Sequence, residues 1–290
     1  MRILLIHNPE AGGDGPEIPP IRTSIERHGH TVRMQSVQED GWREALRPDD
    51  DLVAVAGGDG TVGMVLKEVV GRTTRVTLFP EGSANNIARS LGFADADPEE
   101  LIDAWSRAKT APFDVGVLDD ELFVESAGGG IFATMIDCAE EIKRQPGGPQ
   151  KVQFGLKLLR GIVSDAPVVH WGIRSETHDL SGDVLAVEVM NIPELGPNVP
   201  LAPGAEIEDG LLELTLVREA HREALVRYLD ERLAGIEPEA PVFETHRVSQ
   251  VALDVPEGRA VHRDDEPIDE HVRSVTIRVD GQVSVLVPRV

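Results

Sequence analysis

Apolar positions in the first third of the chain fall in short unbroken runs. Ile3–Ile6, Val32–Val37, Leu52–Ala56 and Val76–Phe79 are such runs, and the stretches between them carry helical spacing. Strands that are apolar on both faces and separated by helices predict a parallel sheet covered on both sides. Residues 1–113 are therefore expected to form a doubly wound, Rossmann-like α/β domain.

After Asp114 the pattern turns to alternation. Val168–Arg174, Val184–Val189, Leu211–Val217, Val248–Leu253 and Val275–Val279 read as antiparallel strands, interrupted by helical segments over 131–144, 152–163 and 222–233. This predicts a β-sandwich with appended helices over 114–290, whose last residues can return to the first domain. Pro146-Gly147-Gly148-Pro149 is a strong loop between two of the helices.

At 290 residues and 41% hydrophobic composition, the chain has enough apolar material for two cores. A formal charge of -23 would repel nucleic-acid phosphates, so nucleic acid is not an expected partner. Most of the cations are arginine, a bias that fits a salty cytoplasm better than a function. Cys138, the single cysteine, excludes an internal disulfide and a cysteine-based zinc site. Met1-Arg2 leads straight into an apolar strand, and no apolar run approaches the roughly 18–20 residues that cross a bilayer. A cytoplasmic protein with at most peripheral membrane contact is expected.

Three turns carry candidate chemistry. Gly57-Gly58-Asp59-Gly60-Thr61 follows a buried strand and opens the helix that carries Val62, Val65, Leu66 and Val69. Glycines let backbone approach a phosphate, and the helix start offers unpaired N–H groups. Asp59 inside an anion site implies a mediating Mg²⁺. Read without that chemistry, the segment is a tight turn with Thr61 as helix cap. Gly58-Asp59-Gly60-Thr61-Val62-Gly63 also fits a dinucleotide fingerprint with Glu81 as its acid, although it follows the third strand and not the first. Pro80-Glu81-Gly82-Ser83-Ala84-Asn85-Asn86 again joins a strand to a helix, with Ser83 as a candidate cap or ligand. Asn8-Pro9-Glu10-Ala11-Gly12-Gly13 follows the first strand and by itself is an ordinary loop.

In this order the three turns resemble the diacylglycerol kinase catalytic-domain family, which includes soluble bacterial lipid kinases and the sphingosine and ceramide kinases. The resemblance extends to Asn191-Ile192-Pro193, Gly196-Pro197, Pro203-x-Ala205 and Asp209-Gly210-Leu211, and so covers nearly the whole chain. It implies an N-terminal nucleotide domain, a C-terminal sandwich and an active site in the cleft between them. ATP is implied at Asn8, Gly57, Gly58, Asp59, Gly60, Thr61, Gly82, Ser83 and Asn85. A structural Mg²⁺ is implied at Asp209 and the Leu211 carbonyl, with Glu206 in the place of a third ligand. The family's Asp-Gly-Glu turn, source of the proposed base, matches Asp264-Asp265-Glu266, which makes Asp264 and Glu266 catalytic candidates beside Asp59. Asp114 matches a further family acid; without the family it reads as a solvated strand end. Asp264–Glu266 alone would read as a solvated hairpin.

Three residues depart from the pattern. Asp265 replaces a glycine, with a left-handed turn at stake; Asn86 replaces an aspartate common in bacterial members; Gly63 replaces a polar residue. Between Ile142 and Val163 stand Lys143, Arg144, Lys151, Lys157 and Arg160 with no acid, and Phe154, Leu158 and Ile162 are helically spaced. That segment could meet a lipid surface, or be a packed helix with a basic outer face. The expected function is Mg-dependent transfer of phosphate from ATP to a hydroxyl of diacylglycerol or a related lipid. The alternatives are a kinase of a soluble alcohol or NAD, whose kinases share a Gly-Gly-Asp-Gly turn, and a decayed nucleotide- or lipid-binding protein.

Overall fold

In the computed structural model, which describes residues 1–10, 18–94, 96–268 and 271–288, the early apolar runs become parallel strands. Thr31–Ser36, Arg2–His7, Leu52–Gly57 and Arg75–Pro80 lie side by side in that order, and the end of the long strand Ser274–Val287 joins next to Arg75–Pro80 in parallel. Leu4, Leu5, Val53, Ala54 and Val55 are fully buried, because both faces of these strands are covered. Polar alternation would put charged groups into a core on one side or the other. Parallel strands also place their carboxyl ends on one edge, so the turns after His7, Gly57 and Pro80 open together.

The chain divides into two compact units, Met1–Phe113 with Gly281–Val290, and Asp114–Asp280. The second unit contains a six-stranded antiparallel sheet in the order Glu244–Val248, Leu212–Val217, Ala186–Met190, Ser126–Gly130, Val261–Arg263, Glu266–Ile268. The strands Gly182–Val184, Val169–Ser175 and Gln250–Asp254 and the first half of Ser274–Val287 form the opposing layer. Trp171, Ile173, Val251, Leu253 and Ile277 from that layer meet Val187, Val189, Leu214, Leu216 and Val261 from the six-stranded sheet. On the sheet's other face, Ala186, Met190 and Val217 pack against the helices Ile131–Asp137, Pro149–Asp165 and Arg222–Leu233.

Two runs expected as single strands change sheets in mid-course. Gly182–Val184 pairs with Val169–Ser175, whereas Ala186–Met190 lies in the six-stranded sheet; Glu244–Val248 and Gln250–Asp254 are divided in the same way around Ser249. A sandwich corner keeps the apolar alternation while redirecting the backbone, so hydropathy does not reveal it. Among the described residues, no helix is long and apolar enough to cross a membrane.

Candidate active site

The three turns of the first unit are joined by hydrogen bonds. Asn8 Nδ2 donates to Thr61 Oγ1 at 3.2 Å, the Glu81 amide donates to the Gly57 carbonyl at 2.9 Å, and the Ile87 amide donates to Asp59 Oδ1 at 3.0 Å. Asn85, left-handed at φ 52, closes its own turn: its Oδ1 accepts from the Gly82 amide and its Nδ2 donates to the Gly82 carbonyl, both at 2.8 Å. Asn85 is thus the cap of the helix Asn86–Ser90, and Ser83 is not a helix cap. Residues Ala11, Gly12 and Gly13 of the first turn lie outside the described residues.

Backbone fills the place where side chains would stand. A Cβ built on Gly82 would lie 2.5 Å from the Gly58 Cα, and one on Gly58 would lie 2.9 Å from the Gly82 Cα. Gly58 leads into the helix Asp59–Val69 with no side-chain cap. An uncapped helix start framed by bare backbone suits an anion such as a phosphate chain.

Among the described residues, buried Glu81 Oε1 and His7 Nδ1 at the same edge have no hydrogen-bond partner. Burial pushes the Glu81 carboxyl up to about 7 and draws His7 down, with Glu39 opposing the latter shift. An orphaned buried polar atom costs about 1–3 kcal/mol, so polar ligand groups would find partners here. The turns therefore fit a nucleotide. His7 was not singled out in the sequence, where it reads as the end of a strand.

The second unit builds its site from side chains. Asp264 and Asp265 form the two-residue loop between Val261–Arg263 and Glu266–Ile268. Asp264 is buried, with φ at 46. The left-handed residue is therefore Asp264 and not Asp265, so the missing glycine at 265 does not deform the turn: two-residue hairpins demand positive φ first of all at their opening position. The Val124 and Glu125 amides donate to Asp264 Oδ1 at 2.9 and 2.8 Å, and the Asp264 amide donates to the Ser126 carbonyl at 2.8 Å. Glu266 is half exposed and paired with Arg263 at 2.9 Å. Asp264 is thus fixed, and Glu266 sits on the outer face of its hairpin.

Asn191 extends this network, donating from Nδ2 to the carbonyls of Asp114 and Val124 at 2.8 Å each. Asp114 is fully buried, and its Oδ2 accepts the Gly210 amide at 2.8 Å. It is a structural anchor for the Asp209-Gly210 turn and not a solvated strand end.

The metal expected at that turn does not fit its donors. Asp209 Oδ1 accepts the Leu211 amide, while the Arg247 guanidinium occupies Asp209 Oδ2 and also faces Glu213 at 3.7 Å. Burial, followed by repulsion from Asp209 and Glu206, raises the Glu213 pKa, and Arg247 opposes that rise. Glu206 is exposed, and no cluster of three or more metal-binding side chains occurs among the described residues. An arginine supplies the positive charge where a cation was expected.

The basic segment is mostly a packed helix. Leu156, Leu159 and Val163 form the buried stripe of Pro149–Asp165, Leu158 and Ile162 rest against the same core, and Arg160 pairs with Asp230 at 2.9 Å. Phe154 and Lys151 are half-buried, Lys157 is exposed, and the side chain of Lys143 lies outside the described residues.

Comparison with known proteins agrees with these turns. The profile of the diacylglycerol kinase catalytic domain matches residues 2–118, and that of the YegS C-terminal NAD kinase beta sandwich-like domain matches residues 126–287. A protein of Klebsiella pneumoniae (strain 342) named "Probable lipid kinase YegS-like" is 30% identical over 226 residues, 73% of each chain. The "Diacylglycerol kinase" of Bacillus subtilis (strain 168) is 25% identical over 244 residues, covering 81% of this chain and 79% of that one. A diacylglycerol kinase crystal structure from Bacillus anthracis str. Sterne superimposes with a TM-score of 0.75 at 18% identity, covering 99% of this chain and 97% of that one. Yeast NADH kinase, solved with NADH, shares the fold more loosely, with a TM-score of 0.55 at 12% identity over 100% of this chain and 84% of its own. The chain belongs to the YegS-like, diacylglycerol kinase catalytic-domain family, whose members are phosphotransferases with an alcohol acceptor.

Proposed function

We propose that this protein is an ATP- and magnesium-dependent lipid kinase that phosphorylates a hydroxyl of diacylglycerol or a related lipid. The observation that carries the proposal is the meeting of two βα turns at bare backbone, with Gly58 and Gly82 too close for any side chain and Asn8 of the first turn tied to Thr61 beside them. In this reading the amides around Gly58, Gly60 and Gly82 hold the phosphates, with Asn8, Thr61, Ser83 and Asn85 fixing the turns and Asp59 tying two of them together. Bound Mg²⁺ would neutralise phosphate charge. Asp264, held by two amides, orients one carboxylate oxygen and accepts the acceptor hydroxyl's proton.

The lipid substrate follows from the family and from the relatives' names. Peripheral membrane contact through 142–163 belongs to the same proposal, supported by Phe154, Lys151 and Lys157 on the helix Pro149–Asp165. Charge reversal at Lys151 and Lys157 is expected to weaken binding to anionic vesicles; unchanged binding removes that part.

The test is transfer of label from γ-labelled ATP to a total lipid extract, with NAD and glycerol as competing acceptors. Wild type labels a lipid, Asp59→Ala loses most of the transfer, and Asp264→Asn loses about 10²–10⁴-fold in kcat while still binding ATP. Label on NAD instead of lipid would favour the nucleotide-kinase reading. ATP binding without transfer to any acceptor would favour a decayed enzyme.

A further inference from the structure

We infer that Glu188 and His262 form a buried positioning pair that holds the Asp264 turn; the inference rests on the reading of Asp264 as the base. Glu188 is the lone acid of Ala186–Met190, a strand buried along its whole length. In the sheet, Gly128 pairs with Glu188 on one side and with His262 on the other. Strands about 4.8 Å apart leave roughly 9.6 Å between the outer two backbones. The two side chains close that span over the empty position of Gly128: His262 Nε2 lies 3.0 and 3.2 Å from the Glu188 carboxylate oxygens, and both residues are fully buried. A Cβ on Gly128 would lie 2.6 Å from Glu188 Oε2.

The other ring nitrogen points at the turn. His262 Nδ1 lies 3.0 Å from the Asp264 carbonyl oxygen, so it carries a proton and donates. Glu188 fixes the ring, the ring fixes the Asp264 carbonyl, and the Val124 and Glu125 amides fix its carboxylate. Burial works to lower the His262 pKa, and the Glu188 charge and hydrogen bond outweigh it, while burial raises the Glu188 carboxyl, so the ring and the carboxyl hold a proton between them. A buried ion pair adds little net stability, and well-packed apolar residues commonly replace one at no loss. A left-handed aspartate costs about 1–3 kcal/mol and persists only where its surroundings over-determine it. The pair supplies that constraint at the residue whose carboxylate must meet the acceptor hydroxyl.

The test uses the full chain with Glu188→Leu and His262→Leu combined, which removes both polar partners together. The double variant is expected to melt within a few degrees of wild type, to keep its KM for ATP, and to lose roughly 10–100-fold in kcat. The backbone amide resonances of Val124 and Glu125 should shift as the Asp264 carboxylate moves. Glu188→Gln, which keeps a partner on Nε2, should retain kcat within about threefold. Unmoved Val124 and Glu125 resonances, or wild-type kcat in the double variant, overturns the inference, as does a kcat loss no larger than the loss of folded protein. Asp264→Asn, measured alongside, separates the two levels. If it retains full activity, the reading of Asp264 as base fails and this inference with it. If it is inactive while the double variant is not, only the positioning role fails.

Discussion

The two units build their candidate sites from different materials. In the first, the surface offered to a ligand is main chain: Gly58 and Gly82 approach so closely that neither can carry a side chain, and the side chains nearby serve to stitch turns. In the second, the proposed working group is a side chain, Asp264, held by a relay through Val124, Glu125, His262 and Glu188. A backbone site tolerates changes in side-chain identity but no added volume. A side-chain relay tolerates volume but no lost partner.

The largest effect that would separate the two is expected at Gly82. Gly82→Ala drives a Cβ into Gly58, which should cost about 1–3 kcal/mol of stability in the first unit and weaken ATP binding tenfold or more by calorimetry. The Val124 and Glu125 resonances should stay in place, and their movement would break the separation.

A second effect turns on pH. The folded Glu81 carboxyl, raised to about 7 from 4.5, keeps a proton that the unfolded chain has released, so this group's contribution to stability falls as pH rises through that window. By pH 8 the cost reaches about 3 kcal/mol. Glu81→Gln cannot ionise and should melt higher than wild type at pH 8, with a gain under about 1 kcal/mol at pH 5. An equal gain at both values would contradict the burial argument. The smallest effect concerns the Asp209 turn. Because Arg247 supplies its positive charge, excess chelator should leave the melting temperature of the wild type unchanged, and Arg247→Ala should cost less than about 1 kcal/mol.

The same contrast explains what could be read from the chain. Glycine turns after apolar strands are local signals, so the convergence of turns on one sheet edge was legible from Gly57–Thr61 and Gly82–Asn85 alone. The relay was not, because His262 and Glu188 are 74 residues apart and meet only through sheet register. Glu188 did leave a trace, as the one charge in an apolar strand, and Gly128 gave the space it needs. The left-handed position in the hairpin was misplaced by one residue, at Asp265 and not Asp264, because turn type depends on strand register that hydropathy does not report. Arg247 at the Asp209 turn was invisible for a similar reason: it arrives on a strand far along the chain.

On the proposed reading, the main chain around Gly58 and Gly82 grips a triphosphate. Titration of the labelled protein with Mg-ATP, followed by backbone amide resonances, tests it directly. Saturable shifts are expected, largest at Gly58, Asp59, Gly60, Gly82 and Ser83. Shifts confined to other residues, or none at saturating nucleotide, would contradict it.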